Sequence, residues 1–242
     1  MQKNNTKLLE KMDLFGLKMD SVFLDLINKY YEFLNLENQK YNLTSIDGYQ
    51  NYIDFHILDS LSVFMPINYF DIEHGSIADL GTGAGFPGLP IKIAKKQISL
   101  SLIDSTNKKI KFLTQLVDLL ELQNVQVINS RIENLVNLND QRGNHDLILS
   151  RAVGKLSTLI EISLPLLKKE GHCIFHKSNL SESEYDSMIK TIKFFNAQLI
   201  EIYKIPFDLT NRERVLVIVK KINDIDNKYP RSNNKPFRKP LF

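Results

Sequence analysis

The stretch SIADLGTGAGFPG, from Ser76 to Gly88, determines how the rest of the chain is organised. Its apolar beginning is typical of a buried strand, and Gly81, Gly83 and Gly85 then break the pattern. Glycine tolerates backbone angles that other residues resist, and it lets a ligand approach the main chain closely. Pro87 suits the first turn of a helix, where its missing N–H costs nothing. The sequence therefore predicts a strand, a tight turn and a helix, with a ligand beside the turn.

A second predicted strand, ISLSLIDS, ends at Asp104, twenty-one residues after Gly83. In doubly wound nucleotide-binding folds an acid at this place accepts hydrogen bonds from a ribose. We therefore expect a nucleoside-containing cofactor to lie across the turn. The letters Gly83, Gly85 and Gly88 also satisfy the pattern G-x-G-x-x-G, so an NAD-dependent oxidoreductase is an alternative, and so is an ordinary glycine turn.

The composition is that of one large domain, or of one domain with a helical appendage. The chain has 242 residues and a mass of 28.0 kDa, and 43% of its residues are hydrophobic, which is enough for a sizeable core. No apolar run approaches the roughly 18 residues of a membrane span, and the polar start MQKNNTK lacks a signal-peptide core. We expect a soluble, cytoplasmic protein. The single cysteine, Cys173, excludes an internal disulfide and a cysteine zinc cluster.

The basic residues are concentrated at the end of the chain. The formal net charge is +3, and residues 228–242 contain five Lys and Arg with no acid, so subtracting those five leaves −2 for the remaining residues. This segment has several prolines and few large apolar side chains, and we predict that it does not build a core. Its charge fits a solubilising end or a phosphate-binding arm equally well.

Before the glycine turn the sequence predicts helices. Apolar residues at three- and four-residue spacing predict a helix over residues 6–41, and Asp20 or Ser21 can cap the start of this apolar stripe. A second helix is predicted over about 49–64. Because both precede the first strand, we expect them to pack as a cap on the region that follows.

From residue 76 onward strands and helices alternate, which predicts a parallel sheet with helices on both faces. Two apolar segments near the end, AQLIEIYKIPF and RVLVIVKKI, predict an antiparallel hairpin. No internal repeat or linker marks a second large domain. The predicted strands cover residues 76–80, 98–104, 125–129, 145–150 and 171–177, and the predicted helices cover 88–96, 106–121, 131–137, 155–168 and about 181–196.

Short motifs along the chain match, in order, those of one enzyme family. They are GTGAGFPG with LIDS, SRIE at 130–133, SRA at 150–152, HK at 176–177, ERVLVIVKK from Glu213, and the upstream YNLTS and HILDSL. From about residue 20 to its end the chain thus resembles the bacterial small-subunit ribosomal RNA guanine-N7 methyltransferases, also called glucose-inhibited division protein B.

The resemblance implies an α/β fold of the class I methyltransferase type. This is a Rossmann-like, doubly wound sheet of about seven strands, mostly parallel, with a C-terminal antiparallel hairpin. It implies an N-terminal helical cap at 1–72, a methyltransferase domain that binds S-adenosyl-L-methionine at 73–225, and a basic tail at 226–242. The implied reaction is methyl transfer to N7 of a guanine in 16S ribosomal RNA. The implied partner is that RNA or the small ribosomal subunit, without a metal or a membrane, and we expect a monomer.

The resemblance also assigns site residues. In the family the glycine turn holds the cofactor, so Asp104 would take the ribose hydroxyls, and Ile132 with Glu133 would flank the adenine. Arg151 would lie at the reacting end. Guanine N7 has a lone pair and no proton, so we expect no general base, only positioning by Arg131 and Arg151. The implied cofactor-binding residues are Gly81, Gly83, Gly85, Phe86, Asp104, Ile132, Glu133 and Arg151, and the implied RNA-binding residues are Asn42, His56, Arg131, Lys177, Arg214, Lys228, Arg231 and Arg238.

The sequence departs from the family pattern in two places. Phe55 precedes the HILDSL histidine, where relatives often have a basic residue, and Asn233 with Asn234 replaces a common Pro-Gly pair. The tail keeps its basic residues, so we expect it to contact RNA with an affinity that falls as salt rises. Besides the oxidoreductase, a non-catalytic RNA-binding module on a methyltransferase fold is an alternative.

Overall fold

The glycine turn follows Ser76–Leu80, an inner strand of a seven-stranded sheet. The computed structural model describes residues 6–17, 20–66, 74–138 and 141–242, and within these ranges the strand order is β3-β2-β1-β4-β5-β7-β6. The strands are β1 (Ser76–Leu80), β2 (Ser99–Asp104), β3 (Val125–Asn129), β4 (His145–Arg151), β5 (Leu167–Lys177), β6 (Gln198–Ile205) and β7 (Arg214–Lys220).

The pairing of the strands confirms the predicted fold class. Strand β1 pairs in parallel with β2 on one side and with β4 on the other, so the chain order reverses beside β1. Strand β7 pairs antiparallel with both β5 and β6, which is the predicted hairpin at the end of the sheet. Open α/β sheets bind ligands at such a reversal, outside the carboxyl ends of the strands. The glycine turn begins at this point.

Helices cover both faces of the sheet, and the alternation of side chains along β1 divides the apolar core into two layers. Ile77 belongs to a cluster with the N-terminal helices, whereas Ala78 and Leu80 belong to a cluster with the helices that follow β4 and β5. The cap therefore shares its core with one sheet face. The helices are α1 (Thr6–Met12), α2 (Ser21–Tyr41), α3 (Tyr49–Tyr52), α4 (Asp59–Leu61), α5 (Gly88–Ala94), α6 (Asn107–Leu119), α7 (Leu156–Ser163), α8 (Glu182–Phe194), α9 (Phe207–Thr210) and α10 (Lys235–Arg238).

The single helix predicted over residues 6–41 is wrong, because two helices occupy this range. The chain turns at Gly16, whose φ of +63° suits glycine. Helix α2 then begins after Asp20, whose Oδ1 accepts a hydrogen bond of 2.8 Å from the N–H of Phe23. Residues 18–19 lie outside the described part of the chain, as does the predicted domain boundary between residues 72 and 73.

The second predicted helix is continuous but irregular. Helix α3 passes into a π-helical segment at Ile53–Leu58 before α4, and a 3-10 turn at Ser62–Phe64 ends it. Such π-helical turns are frequent at functional sites. None of the described helices combines the length and the apolar character that a membrane crossing requires.

The C-terminal tail packs on the domain, so the prediction that it does not build a core is wrong. Arg231 forms an ion pair of 2.7 Å with Glu161 of α7, whose side chain is fully buried. The ring of Tyr229 contacts Phe195 edge to face, with 5.0 Å between the centroids. The backbone carbonyl of Pro236 accepts a hydrogen bond from a threonine of α7. Composition alone gave no sign of these contacts, because their partners lie about 30 to 80 residues away in the chain.

Candidate active site

A cleft of about 510 Å³ opens at the carboxyl ends of β1, β2, β3 and β4. It lies where the sheet topology places a ligand site, and the glycine turn forms part of its floor. The predicted residues that line it are His56, Gly81, Gly83, Phe86, Asp104, Arg131, Ile132, Glu133 and Arg151.

Different structural constraints require glycine at the three positions of the turn. All have positive φ angles, of +69° at Gly81, +62° at Gly83 and +100° at Gly85. A Cβ at Gly81 would lie 2.5 Å from Val153, and one at Gly85 would lie 2.4 Å from Leu89, so both positions also exclude larger residues by packing. At Gly83 nothing but a backbone oxygen lies within 4 Å. The space beside Gly83 is therefore open, and the main chain there is accessible to a ligand.

Asp79, at the end of β1, holds both ends of the turn. Its Oδ2 accepts hydrogen bonds from Thr82 Oγ1 at 2.7 Å and from the N–H of Gly88 at 2.8 Å. Burial raises the pKa of Asp79 to about 6. The carboxylate thus occupies the N-terminus of α5.

Asp104 lies buried at the end of β2 and is held by three donors. They are the N–H of Gly83 at 3.2 Å, the N–H of Thr106 at 2.9 Å and Lys109 Nζ at 3.3 Å. Lys109 also lines the cleft but was not among the predicted site residues, although its place in the first turn of α6 was a usable signal. The prediction had correctly placed Asp104 beside the glycine turn.

The wall opposite the turn comes from the segment after β3. Ile132 and Glu133 start a 3-10 helix, Ile132–Asn137, and both are buried. Arg131 precedes them and is exposed at the rim of the cleft. The cleft therefore has an apolar and an acidic group inside, with a cation at its edge.

A stack of rings fixes the other side. The ring of Phe86 lies between Tyr30, at 5.1 Å, and His56, at 4.0 Å, and both pairs are nearly parallel. His56 Nδ1 accepts a hydrogen bond of 2.9 Å from Arg151, and since arginine only donates, the proton of the imidazole is on Nε2, 3.0 Å from Thr44 Oγ1. Burial and Arg151 lower the pKa of His56 to about 3. The ring is neutral and has a structural partner on each nitrogen.

Asp59 joins the cap to the sheet and was not predicted as a site residue, although it lies in the HILDSL motif. Its side chain is 1% exposed and accepts from Arg151 at 2.8 Å and from Arg214 at 3.1 Å. Its backbone oxygen lies 3.1 Å from His176 Nε2. Burial alone would raise the pKa of Asp59, but Arg151, His176 and Arg214 together lower it. Asp59 is therefore a carboxylate that neutralises part of the charge of two arginines.

A second cleft of about 280 Å³ adjoins the first and shares Arg151 and Ala152 with it. Two of the predicted RNA-binding residues, Lys177 and Arg214, line it. Lys177 pairs with Glu184 at 2.7 Å. The carboxyl ends of β4 and β5 thus carry a basic site beside the first cleft.

The tail closes one side of the first cleft through Asn234 and Phe237. The other predicted RNA-binding residues lie outside both clefts: Asn42 is exposed at the C-cap of α2, Lys228 and Arg238 are exposed, and Arg231 is paired with Glu161. Arg231 donates to Glu161 through Nε at 2.8 Å, Nη2 at 2.7 Å and its backbone N–H at 3.0 Å. This pair holds the tail against α7.

We expect Arg231→Ala to lower the free energy of unfolding by about 3–5 kcal/mol, because it leaves the charge of Glu161 buried without its partner. It should also weaken cofactor binding, since Asn234 and Phe237 would lose their support. Urea unfolding and calorimetric titration measure the two effects. Lys228→Ala, which removes an exposed pair with Asp226, is the matched control and should change little. If Arg231→Ala had the same free energy of unfolding as the wild type, the pair with Glu161 would not hold the tail against α7.

Three of the buried histidines should make the fold sensitive to acid, because burial lowers their pKa values furthest. Burial lowers the pKa of His56 to about 3 and those of His145 and His176 to about 4. Below pH 6.5 the unfolded chain binds protons that the folded chain does not, so stability falls by roughly 2 kcal/mol per histidine between pH 6.5 and 5. Asp79, with its raised pKa, offsets about 1 kcal/mol of this loss. Urea unfolding at both pH values should show a smaller loss in His145→Gln, and an equal loss in variant and wild type would refute this cause.

The chain is similar to known proteins over most of its length. A family model described as rRNA small subunit methyltransferase G matches residues 24–221. Curated relatives named ribosomal RNA small subunit methyltransferase G are similar over nearly the whole chain. The relative from Dictyoglomus thermophilum is 37% identical over 243 residues and covers 100% of both chains, and that from Lachnoclostridium phytofermentans is 35% identical over 243 residues, covering 99% of this chain and 98% of its own.

Solved structures share the fold at low sequence identity. M. jannaschii TYW2 in complex with AdoMet aligns with a TM-score of 0.54 and 18% identity, over 73% of this chain and 78% of its own. The ribosomal protein L11 methylase from Lactobacillus delbrueckii aligns with a TM-score of 0.51 and 15% identity, over 68% of this chain and 79% of its own. At these identities the likeness concerns the fold of the sheet and its helices.

Proposed function

Because the chain belongs to the rRNA small subunit methyltransferase G family, we propose that it transfers a methyl group from S-adenosyl-L-methionine to N7 of a guanine in 16S ribosomal RNA. The observation that carries this proposal is the first cleft, which opens where the strand order reverses beside β1. In it the main chain at Gly83 is accessible to a ligand, and Asp104 provides a buried carboxylate. The membership confirms the family resemblance of the sequence motifs.

The residues of the first cleft fit this cofactor better than a dinucleotide. A dinucleotide places its pyrophosphate on the N-terminus of the helix after the first strand. Here the Asp79 carboxylate accepts the N–H of Gly88 at that position and would repel a phosphate. S-adenosylmethionine has no phosphate, so it needs close main-chain approach and not a charged cradle. This observation favours the methyltransferase over the NAD-dependent oxidoreductase.

Within the cleft we assign each wall a part of the cofactor. Asp104 would accept the ribose hydroxyls, and Ile132 with Glu133 would hold the adenine. Arg151 would face the methionine carboxylate, close to where both clefts meet. The main chain at Gly81 and Gly83 and the ring of Phe86 would contact the remainder. Gly85, also predicted to bind the cofactor, packs against Leu89 and would contribute by shaping the turn.

When bound, S-adenosylmethionine supplies a methyl group on a positively charged sulfur. Guanine N7 has a free lone pair, so this chain needs no proton acceptor, and His56 cannot serve as one because both its nitrogens are engaged. The side chains instead orient the two reactants, and such alignment alone can lower a barrier by about 7–11 kcal/mol. The methylated base is cationic, and Asp59 reduces the positive charge that Arg151 presents to it.

The second cleft and the exposed cations are assigned to RNA. Lys177 and Arg214 would contact the RNA near the target base, and Arg131 would do so at the rim of the first cleft. We also propose that RNA is contacted by the remaining predicted residues, Asn42, His56, Lys228, Arg231 and Arg238. Two of them, His56 and Arg231, already bind protein partners, so supporting the site would be enough to explain them. We also propose the division into a cap at 1–72, a methyltransferase unit at 73–225 and a tail at 226–242, acting as a monomer in the cytoplasm.

The experiment is a comparison of ribosomal RNA from cells with and without this gene. We expect one 7-methylguanosine in 16S ribosomal RNA to disappear without the gene. The purified protein should restore it on those small subunits with S-adenosylmethionine as methyl donor. RNA with the same 7-methylguanosine content in both strains, and no transfer in vitro, would refute the proposed function and favour the non-catalytic RNA-binding module.

A further inference from the structure

A third groove, of about 610 Å³, continues the line of clefts along the same edge of the sheet. The first cleft covers the ends of β1 to β4, the second covers the ends of β4 and β5, and the third lies at the end of β5, the start of β7 and the end of β6. The second cleft and the third groove share Ser178 and Arg214. An RNA chain that enters the second cleft can therefore continue into the third groove. We call it the outer groove.

The outer groove displays two aromatic rings to solvent. Tyr185, from α8, is 41% exposed, and Phe207, at the start of α9, is 62% exposed. The floor beneath them is apolar and is formed by side chains of β6 and β7 together with Leu180. Exposed aromatic rings beside an apolar floor are a feature of binding surfaces, because a partner that covers them removes a large apolar area from water.

The charges of the outer groove suit a base better than a phosphate inside it. Two cations, Lys204 and Arg214, and two carboxylates, Glu182 and Glu213, line it. Lys204 is exposed and can contact a phosphate of the backbone. The two carboxylates repel phosphate, but they can accept hydrogen bonds from the amino groups of a nucleobase. The groove thus offers an apolar, aromatic place for a base, with cations available for the flanking phosphates.

We propose that the outer groove holds an unpaired base of the substrate RNA, next to the target guanine, stacked on Tyr185 and Phe207. This rests on the proposed function. Sequence-specific recognition of RNA uses splayed bases that stack on aromatic side chains. Continuity with the second cleft through Arg214 makes RNA the occupant and not a segment of another protein.

The test is the affinity for protein-free 16S ribosomal RNA in the presence of S-adenosylhomocysteine. Stacking on one ring contributes about 1–3 kcal/mol, so the double variant Tyr185→Ala with Phe207→Ala should raise the Kd at least about tenfold. Phe207→Tyr keeps a ring and should bind as the wild type does. Leu36→Ala, on the exposed part of α2, is the matched control for loss of an exposed apolar side chain.

Two further readouts separate the outcomes. S-adenosylhomocysteine should bind the double variant with wild-type affinity, because neither ring lines the first cleft. A wild-type protein that methylates RNA, with an unchanged Kd in the double variant, overturns the outer groove alone. A Kd that rises only for assembled subunits overturns it as well, since the occupant would then be a ribosomal protein. A wild-type protein that methylates nothing refutes the proposed function instead.

Discussion

Replacing Arg151 by alanine is expected to reduce methyl transfer by at least about 100-fold and to lower the free energy of unfolding by about 3–5 kcal/mol. Arg151 lines both clefts, donates to the carboxylate of Asp59 at 2.8 Å and donates to His56 at 2.9 Å. Without it, a carboxylate that is 1% exposed loses one of its two arginine partners among the described residues and keeps Arg214. The imidazole that stacks on Phe86 loses its donor at the same time.

The loss of activity and the loss of stability can be separated. The double variant Asp59→Leu with Arg151→Met should recover part of the stability but none of the activity, because replacing a buried pair by apolar groups is often neutral. The recovery is partial because Arg214 loses the carboxylate of Asp59 as well. Lys168→Ala, which breaks an exposed pair with Asp146, is the control for loss of a surface cation. Single-turnover rates under saturating cofactor measure the activity. A rate near that of the wild type in Arg151→Ala would contradict the positioning role.

Asp104→Asn is expected to weaken the binding of S-adenosylhomocysteine about 100-fold. A hydrogen bond to a charged group contributes about 1.5–3 kcal/mol, and each 1.4 kcal/mol corresponds to a factor of ten in Kd. The amide keeps the size of the side chain and one acceptor for the N–H of Thr106, so the fold should persist. Calorimetric titration measures the Kd, with Asp146→Asn, an exposed carboxylate at the opposite end of the sheet, as the control. A Kd within threefold of the wild type would show that the ribose is held elsewhere.

The geometry of the first cleft could be predicted from the sequence because its signals are local. The glycine turn follows directly on β1, and Asp104 ends the next strand along the chain. The alternation of short apolar strands with helices fixed the parallel sheet and, with the final pair of strands, the antiparallel hairpin. Each of these features depends on residues within about 20 positions of one another.

The parts that the sequence did not predict depend on distant partners. Asp59 meets Arg151 across 92 positions and Arg214 across 155 positions, and no local pattern shows such a pair. The tail looked like a free basic arm, because its main anchor, Glu161, lies 70 residues earlier. Phe55 also has a distant partner: the guanidinium of Arg212, which precedes β7, lies 3.5 Å from the centroid of its ring. A cation from another part of the chain therefore lies beside this apolar residue of the cap.

The central claim is that the first cleft binds the methyl donor across the glycine turn. A crystal structure of the protein with S-adenosylhomocysteine tests it most directly. We expect the ligand in the first cleft, with its ribose hydroxyls within hydrogen-bond distance of Asp104 and its amino-acid chain against the main chain at Gly83. A ligand bound elsewhere, with the cleft at the glycine turn empty in the same crystal, would contradict it.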